Sequence, residues 1–446
     1  MSDADRLRST LKHINIDGVL AGVCDLNGIL RGKRIPLSQI DKVMEEGLKM
    51  PLSLVGVDIW GEDVLGNGQV LETGDADITY RPTGRGPLIQ SWHQTPTALI
   101  PLQMTDETGI PLGPCPRSAL DRVLGWYRDQ ALTVVCAMEL EFHLVARDDG
   151  RPTPITAHRL KGAPAIEAID ELEAREGFLA EVYEVAATWD IDLGSALSEG
   201  GAGQFEIVLN HKSDPLAIAD STYFLKRIIR GVAAKHGFEA TFMAKPFENK
   251  PGNGFHTHFS LVDADGSNIF DDGGELGSDP LRHAVSGLES MMAETMLIFA
   301  PHMNSFRRFA PASHAPTTIA WGYDNRLAAL RIPQSEPKAR RVEHRVSGAD
   351  ANPYLVLAAI LAAVRHGLET RSQPSAPVAG NVYEADRPHL PATWRSAIDV
   401  FASNEALKDA FDPRLIAMFL AAKRQEQGVF SERIPLFEYE TYVDVV

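Results

Sequence analysis

The chain has 446 residues, of which 44% are hydrophobic, and this is enough to bury a large core and to build two domains. Its formal net charge of −17 argues against nucleic acid or an anionic membrane as a partner, because both bind basic surfaces. Cys24, Cys115 and Cys136 show no CxxC spacing and the N-terminus lacks an apolar signal segment, so we expect free thiols in a cytoplasmic protein.

The first hundred residues predict a region rich in strands. Two short apolar runs within residues 17–36 meet at Asn27-Gly28, a dipeptide typical of β-hairpin turns. A segment rich in turn formers follows at 103–116, and a helix is predicted to begin at Pro116. We therefore predict one domain at residues 1–104 and a second at 105–446.

A run that otherwise predicts a buried strand, AMELEFHL at residues 137–144, contains two like charges. Glu139 and Glu141 lie two residues apart, so they must share one face of the strand. One explanation is an edge strand with a solvated face. The other is a buried pair of carboxylates, which needs partners of opposite charge.

Three later segments repeat this spacing of two among apolar neighbours. They are GAGQFEIVL with Gln204 and Glu206, GNGFHTHFSL with His256 and His258, and ARRVEHRVS with Arg341, Glu343 and Arg345. A single HxH would more often be structural than metal-binding. Four strands with charged faces, however, form a stable sheet only if cations neutralise the carboxylates, so we predict a metal site.

The candidate ligands are mostly carboxylates. They are Glu139, Glu141, Glu199, Glu206 and Glu343, with His256 as the nitrogen donor. Hard oxygen ligands favour Mg²⁺ or Mn²⁺ over zinc, and five carboxylates are too many for one ion. We expect at least two ions.

A basic segment follows at residues 304–345, where eight Lys or Arg stand against three acids. A solvated basic face is one explanation. Arg331, however, lies in the apolar strand ALRIP, where an arginine is better explained by a phosphate or carboxylate partner. Metal ions beside arginines suggest phosphoryl transfer from a nucleotide.

The last strong element is YLVLAAILAAV at residues 354–364. It predicts a buried helix with Asn352 as the N-cap and Pro353 as the first helical residue. The run is too short to span a bilayer, so we expect no membrane partner.

Six of these motifs occur in the order found in the glutamine synthetase family, which the chain resembles over residues 105–365. They are AMELEF, SEGGAGQFEI, GNGFHTHFSL, NSFRRFAP, NRLAALRIP and PKARRVEHRVSGADANPYL. The resemblance implies an α+β fold, with a small N-terminal β-grasp domain and a large catalytic domain whose curved antiparallel sheet is flanked by helices. It also implies Mg²⁺ or Mn²⁺, ATP as co-substrate, and a homo-oligomer, a dodecamer of two stacked hexameric rings, with sites between subunits.

The family's motifs carry roles onto individual residues. One metal ion would be held by Glu141, Glu199 and Glu206, and the second by Glu139, His256 and Glu343. Glutamate would be bound by Glu141, Gly252, His256, Arg308 and Arg345. The nucleotide and its phosphates would contact His258, Ser260, Arg326, Arg331, Lys338 and Arg341. The catalytic residues implied are Arg308 and Arg331. His314 is a further catalytic candidate, as the acceptor of a proton from the amine, and the alternative is that it is only a solvated loop residue.

Two departures from the family bear on the substrate. Members that use ammonium carry a Glu in the loop after the NSxKRxxPG motif, whereas the segment here is PASHAP, with His314 in that place. Their DGSS segment is also missing, and VGVDIWGED offers only Asp58, Glu62 or Asp63 as substitutes. This pattern resembles the branch of the family that joins glutamate to organic amines.

We therefore predict an ATP-dependent ligase that joins the γ-carboxylate of glutamate to an organic primary amine or polyamine through a γ-glutamyl phosphate. A true glutamine synthetase that uses ammonium is the first alternative. The alternative of another class is a non-catalytic relative with a structural or regulatory role.

Overall fold

The computed structural model describes residues 3–148, 150–157, 165–311, 313–405 and 407–446. The strands are β1 Gly18–Cys24, β2 Leu30–Pro36, β3 Leu48–Pro51, β4 Asp77–Pro82, β5 Leu88–Gln90, β6 Thr97–Thr105, β7 Thr133–Asp148, β8 Arg151–Pro154, β9 Leu193–Ser198, β10 Gln204–Lys212, β11 Glu239–Thr241, β12 Phe255–Val262, β13 Trp321–Tyr323, β14 Leu330–Ile332 and β15 Val342–His344. The α-helices are α1 Asp3–His13, α2 Ile40–Glu46, α3 Pro116–Asp129, α4 Ile169–Glu173, α5 Glu176–Thr188, α6 Pro215–Lys235, α7 Asp279–Phe299, α8 Pro353–Thr370, α9 Trp394–Ala402, α10 Pro413–Glu432 and α11 Leu436–Tyr442.

The first six strands form the small sheet, in the order β2-β1-β6-β4-β3 with β5 on β6. β1 and β2 are the predicted hairpin, since Cys24 pairs with Leu30 across the turn. Gly28 has a φ of 75°, a left-handed conformation that glycine adopts without strain. Helix α2 also lies in this region, where we predicted only strands. The boundary between residues 104 and 105 stays a prediction.

The large sheet has the order β13-β14-β15-β12-β7-β10-β9, with β8 and β11 on β7. Its neighbouring strands are antiparallel except for the parallel pair β13 and β14. β7 pairs with β12 on one side and with β10 on the other, so the edge-strand explanation for Glu139 and Glu141 is wrong. The four segments with alternating polar residues are the four adjacent strands β15, β12, β7 and β10.

Helices α6, α7 and α8 build the core of the second region. α6 packs on β7, where the hydroxyl of Thr222 donates to the sulfur of Met138 at 3.0 Å. α7 and α8 pack so closely that a Cβ on Gly367 would lie 1.9 Å from the carbonyl oxygen of His283. Among the described residues, no helix combines the length and apolar character needed to cross a membrane.

Helix α8 begins as predicted. The side chain of Asn352 accepts a hydrogen bond from the backbone N–H of Tyr354 at 3.1 Å, and Pro353 is the first helical residue. The same Asn352 amide donates to the carbonyl of Asp25 at 2.9 Å, so the cap also joins α8 to the turn of the first hairpin. Together the two sheets and their helices confirm the predicted α+β class.

Candidate active site

Four adjacent strands of the large sheet direct charged side chains to one place. Glu141 on β7 lies opposite Glu206 on β10, and Glu139 lies opposite His256 on β12. One strand further, His258 lies opposite Glu343 on β15. Because side chains two apart share a face, this register gathers the predicted ligands on one surface of the sheet. We call Glu139, Glu141, Glu199, Glu206, His256 and Glu343 the acidic cluster.

Distances within the acidic cluster suit two ions. One donor atom each from Glu139, His256 and Glu343 lie within 4.8 Å of one another, and so do donor atoms of Glu141, Glu206 and His256. His256 stands between the two groups, with Nδ1 3.0 Å from Oε2 of Glu139 and Nε2 3.9 Å from Oε1 of Glu141. Glu139, His256 and Glu343 are the residues that we predicted to hold the second ion. In the other group, His256 takes the place that we expected for Glu199.

Like charges in the acidic cluster repel one another strongly. Burial, followed by the charges of Glu139, Glu141 and Glu199, raises the pKa of Glu206 to about 10. Burial and the charge of Glu141 likewise raise the pKa of Glu199 to about 7, so Glu199 interacts with the group although it stands at its edge. Carboxylate oxygens with one imidazole, buried and mutually repelling, fit divalent cations such as Mg²⁺ or Mn²⁺.

Arginines border the acidic cluster at Glu343. Arg331 places one guanidinium nitrogen 3.0 Å from Oε2 of Glu343 and another 2.6 Å from Asp324, while Arg345 hydrogen-bonds Oε1 of Glu343. Although burial alone would raise the pKa of Glu343, Arg345, followed by His258 and His256, holds it below its usual value. The carboxylate of Glu343 is thus ionised between the predicted cation site and two arginines.

Gln204, whose spacing we noted without giving it a role, connects three parts of the site. Its amide nitrogen donates to Oε2 of Glu141 and to the carbonyl of Gly252, both at 3.0 Å. Its amide oxygen accepts from the N–H of Gly201 at 2.9 Å. The signal in the sequence was its position two residues before Glu206, on the same face of β10.

Gly254 is a second residue that the sequence prediction missed. Its N–H donates to Oε2 of Glu141 at 2.7 Å. A Cβ at this position would lie 2.9 Å from both Oε1 of Glu141 and Nε2 of His256, so only glycine fits. The signal was the GNG sequence immediately before β12.

The residues predicted to bind glutamate lie beside this glycine segment. Arg308 is buried and donates to the carbonyl of Val346 at 2.7 Å and to that of Arg345 at 3.3 Å. A Cβ on Gly252 would lie 2.4 Å from the carbonyl oxygen of Ala244 and 2.9 Å from the side chain of Arg308. Arg308 thus packs against Gly252 and hydrogen-bonds the backbone of Arg345, close to Glu141.

A cavity of about 550 Å³ adjoins the other end of the acidic cluster. Four of the six predicted nucleotide contacts line it together with Glu139: His258, Ser260, Lys338 and Arg341. Arg341 donates to Nδ1 of His258 at 3.3 Å. Arg331 lies instead at Glu343, and Arg326 is exposed and is not among the residues that line this cavity.

The loop that carries His314 is anchored, but its imidazole is exposed. The backbone of His314 hydrogen-bonds the hydroxyl of Tyr383, which donates to the carbonyl of Ala315 at 3.1 Å. His314 has a φ of 60°. In the described part of the chain, its side chain makes no hydrogen bond or ion pair with the acidic cluster. Ala312 of the same loop lies outside the described residues.

Of the three acids considered in the VGVDIWGED segment, one is already engaged. Oδ1 of the buried Asp58 accepts from the N–H of Trp60 and of Glu62, at 3.0 and 2.9 Å, and Oδ2 accepts from Gln425 at 2.8 Å. Glu62 and Asp63 are exposed. The Asp58 carboxylate therefore shapes its own loop, and only Glu62 and Asp63 are accessible to a partner.

The chain is similar to several known proteins. The family model described as glutamine synthetase, catalytic domain, matches residues 113–442. The gamma-glutamylputrescine synthetase PuuA of Escherichia coli (strain K12) is 37% identical over 429 residues, covering 93% of this chain and 89% of that protein. The gamma-glutamylethanolamide synthetase GlnA4 of Streptomyces coelicolor is 32% identical and covers 95% and 92%. A solved GmaS/ADP complex superposes with a TM-score of 0.85 at 29% identity, over 100% of both chains.

Proposed function

The chain belongs to the glutamine synthetase family, and from this premise we propose that it is an ATP-dependent ligase that joins the γ-carboxylate of glutamate to an organic primary amine. The proposed co-substrate is ATP, with Mg²⁺ or Mn²⁺ as the metal. Relatives named for putrescine and ethanolamide products support an amine rather than ammonium as the acceptor.

One observation carries the proposal. The acidic cluster lies between the about 550 Å³ cavity on one side and the Gly252, Arg308 and Arg345 group on the other. A nucleotide in the cavity and glutamate at the arginines would direct their reacting groups to the same carboxylates. This arrangement suits phosphoryl transfer, which depends mainly on positioning and charge neutralisation.

The reaction needs an activated acyl group, because a carboxylate is a poor electrophile. The γ-phosphoryl group of ATP would pass to a γ-carboxylate oxygen, giving ADP and γ-glutamyl phosphate. The amine nitrogen would then attack the carbonyl carbon, the bond to the phosphate oxygen would break, and the nitrogen would lose a proton. Divalent ions held by the acidic cluster would supply charge neutralisation for the phosphate oxygens.

Residues of this chain have distinct parts in that scheme. Lys338 and Arg341 line the cavity and would neutralise the nucleotide phosphates. Arg331, which is held between Asp324 and Glu343, would stabilise the phosphoryl group in transfer. Arg308 and Arg345 would orient glutamate, and an intact Gln204 network would keep Gly252 in place for it.

The acceptor must be deprotonated before it attacks. An alkylamine with a pKa near 10.4 is protonated at pH 7, and exposing its lone pair costs roughly 4 to 5 kcal/mol. A base or a desolvated anionic pocket must offset this cost. A neutral His314 would accept the proton, and it would attract ammonium less than the Glu of ammonium-using relatives does.

The test is a panel of monoamines, diamines and polyamines compared with ammonium. Glutamate-dependent ADP release is measured for each, and the products are identified by mass spectrometry. The proposal requires a γ-glutamylamide product and a higher kcat/KM for at least one amine than for ammonium. A higher kcat/KM for ammonium than for every amine would establish glutamine synthetase instead. AMP and pyrophosphate as products would rule out the phosphate intermediate.

Two further expectations belong to the same proposal. A non-catalytic relative would release no ADP with any acceptor, although all six residues of the acidic cluster are present here. We expect a homo-oligomer, a dodecamer of two stacked hexameric rings, which light scattering of the purified protein would measure. A monomer with full activity would contradict a site shared between subunits.

A further inference from the structure

A second cavity is lined in part by Met243 and Ala349, both of which are hydrogen-bonded to Asn253 of the glycine segment. It has a volume of about 610 Å³ and lies between the turn of the first hairpin, the Trp92-His93 segment and helix α6. Five side chains that are or can become cationic line it: His93, Lys226, Arg227, Arg230 and His302. We call it the α6 cavity.

The three cations that α6 contributes to the cavity are met by neutral groups. Nζ of Lys226 donates to the carbonyls of Ala349 and Ala351 at 2.6 and 2.9 Å. Arg227 donates to the amide oxygen of Gln90 at 2.8 Å, and the guanidinium of Arg230 lies 4.9 Å from the ring centre of Phe242. Among the described residues, none of the three α6 cations forms an ion pair with a carboxylate.

One acid, Asp350, lines the α6 cavity, and it is partly engaged. Its Oδ2 accepts a hydrogen bond from the hydroxyl of Ser305. The chain as a whole has a net charge of −17, so the basic character of this cavity is local. The cavity keeps an excess of positive charge, because it has only one acid among its described lining residues. Small-molecule sites commonly have volumes of 300 to 1,000 Å³, roughly the size of this cavity.

Like charges lie close together on α6, where Lys226 is buried and Arg230 is exposed. Lys226 and Arg230 are spaced i, i+4, so like charges are neighbours along α6. Burial, followed by the charge of Arg230, lowers the pKa of Lys226 to about 7, which agrees with the geometric crowding. Gly231 lets the indole of Trp92 lie directly on the helix, where a Cβ would stand 2.3 Å from the ring. The α6 cations and Trp92, which follows β5 of the small sheet, thus line the same cavity.

We propose that the α6 cavity binds a small organic anion that carries a carboxylate or phosphate group. Arg227 and Arg230 supply the guanidinium donors, which match the planar geometry of a carboxylate and the oxygens of a phosphate. The anion neutralises the like charges that α6 brings together. This binding does not depend on the proposed ligase activity.

A chain of hydrogen bonds joins the α6 cavity to the acidic cluster. Lys226 holds the carbonyl of Ala349, whose N–H donates to the carbonyl of Asn253 at 3.0 Å. The next residue, Gly254, donates to Glu141. An anion that draws Lys226 toward the cavity therefore acts on the segment beside Gly252. This second part, an effect on glutamate use, rests on the proposed function.

The binding test uses the full-length protein without nucleotide or glutamate. Succinate and inorganic phosphate are titrated by calorimetry and by the shift of the thermal midpoint, which separates carboxylate from phosphate as the preferred group. Arg227→Gln and Arg230→Gln are compared with Arg395→Gln, which removes an exposed arginine of α9. Arg345→Gln reports binding of the same probes at the acidic cluster.

We expect at least tenfold weaker binding in Arg227→Gln and Arg230→Gln, and unchanged binding in Arg395→Gln and Arg345→Gln. Without anion, Arg230→Gln should raise the thermal midpoint, whereas a purely structural arginine would lower it when removed. Failure of both probes to bind the unmodified protein overturns the proposal. So does loss of binding in Arg345→Gln alone, which would assign the anion to the acidic cluster.

Activity provides a separate measurement. Addition of whichever anion binds more tightly should change KM for glutamate in the unmodified protein. The same addition should leave KM for glutamate unchanged in Arg230→Gln. Binding without any change in KM would overturn the effect on glutamate use and leave the anion site in place. Absence of ligase activity with intact anion binding would contradict the proposed function alone.

Discussion

The single carboxylate of Glu343 contacts two groups of residues on which the proposed phosphoryl transfer depends. One of its oxygens contacts Arg345 and lies 4.0 Å from Nδ1 of His256, while the other lies 3.0 Å from Arg331. The residue therefore belongs both to the proposed cation site and to the arginines proposed to handle phosphate. Removal of its charge should affect both groups at once.

Glu206→Gln and Glu343→Gln should each lower glutamate-dependent ADP release by about 100-fold or more, because an amide cannot supply the charge that balances the cation. Glu239→Gln, which changes an exposed carboxylate on β11, is the control. Thermal midpoints with and without Mg²⁺ show whether the variants fold and whether the metal still stabilises them. Near-normal turnover of both variants at saturating Mg²⁺ would contradict the metal assignment.

His314→Glu should raise the ratio of kcat/KM for ammonium to that for the preferred amine. A carboxylate attracts ammonium more strongly than a neutral imidazole does, and a gain of 1.4 kcal/mol corresponds to about tenfold. Product analysis in mixtures of ammonium and amine measures the ratio, with His314→Gln as the uncharged control. An unchanged ratio would indicate that His314 is only a solvated loop residue.

At the scale of elements, local sequence patterns predicted individual strands and helices but not how these elements are arranged. The spacing of two in AMELEFHL and FHTHF predicted β7 and β12, and Asn352-Pro353 predicted the start of α8, because faces and caps depend on nearby residues. The strand order and the hydrogen bond of Gln204 to Glu141 depend on contacts between distant segments. Helix α2 was missed because tertiary packing outweighs the weak preferences of seven residues.

Gln204→Ala tests the element that joins β10 to the glycine segment. It removes the Gln204 donor from the carbonyl of Gly252 and one of the two donors to Oε2 of Glu141, which keeps the N–H of Gly254, and this should cost about 1 to 3 kcal/mol of stability. We expect KM for glutamate to rise by about tenfold and KM for ATP to change less. Gln130→Ala, which removes the side chain of an exposed glutamine just after α3, is the control. An equal rise in both KM values would show general damage to the sheet.

At the scale of the whole molecule, a buried ion pair joins α10 near the C-terminus to the first region. Nζ of Lys423 lies 2.9 Å from Oε2 of Glu426 and donates to the side chain of Asn27 at 2.5 Å. The other oxygen of Glu426 accepts from the N–H of Ile59 at 2.9 Å. This network fixes both the first hairpin and the loop that exposes Glu62.

Lys423→Met should lower the free energy of unfolding by about 3 to 5 kcal/mol, because it leaves Glu426 buried with only the imidazole of His302, at 3.9 Å, as a basic neighbour. Lys408→Met breaks an exposed pair with Glu405 of the same spacing and should cost less than about 1 kcal/mol. Thermal midpoints of the two variants measure the difference. Equal midpoints would show that the buried pair contributes no more than a surface pair.

The pair of Lys423 and Glu426 also predicts that the stability of the fold depends on pH. Although burial alone would raise the pKa of Glu426, Lys423 holds it below its usual value of 4.5. The stabilisation is therefore complete above that value and is lost as the pH falls through the lower pKa of the folded protein. The midpoint of Lys423→Met should fall less steeply with acid than that of the unmodified protein.

The hydrogen-bonded loop at residues 313–315 lies off the large sheet, whereas His256, Glu206 and Glu343 are fixed by strand register. One residue inserted into β12 before His256 would turn its side chain to the opposite face of the sheet and remove it from the acidic cluster. Codons of the loop can change without moving any strand. The proposed role of this loop in acceptor choice is therefore open to divergence and to directed evolution, while the proposed phosphoryl-transfer site would be inherited as a unit.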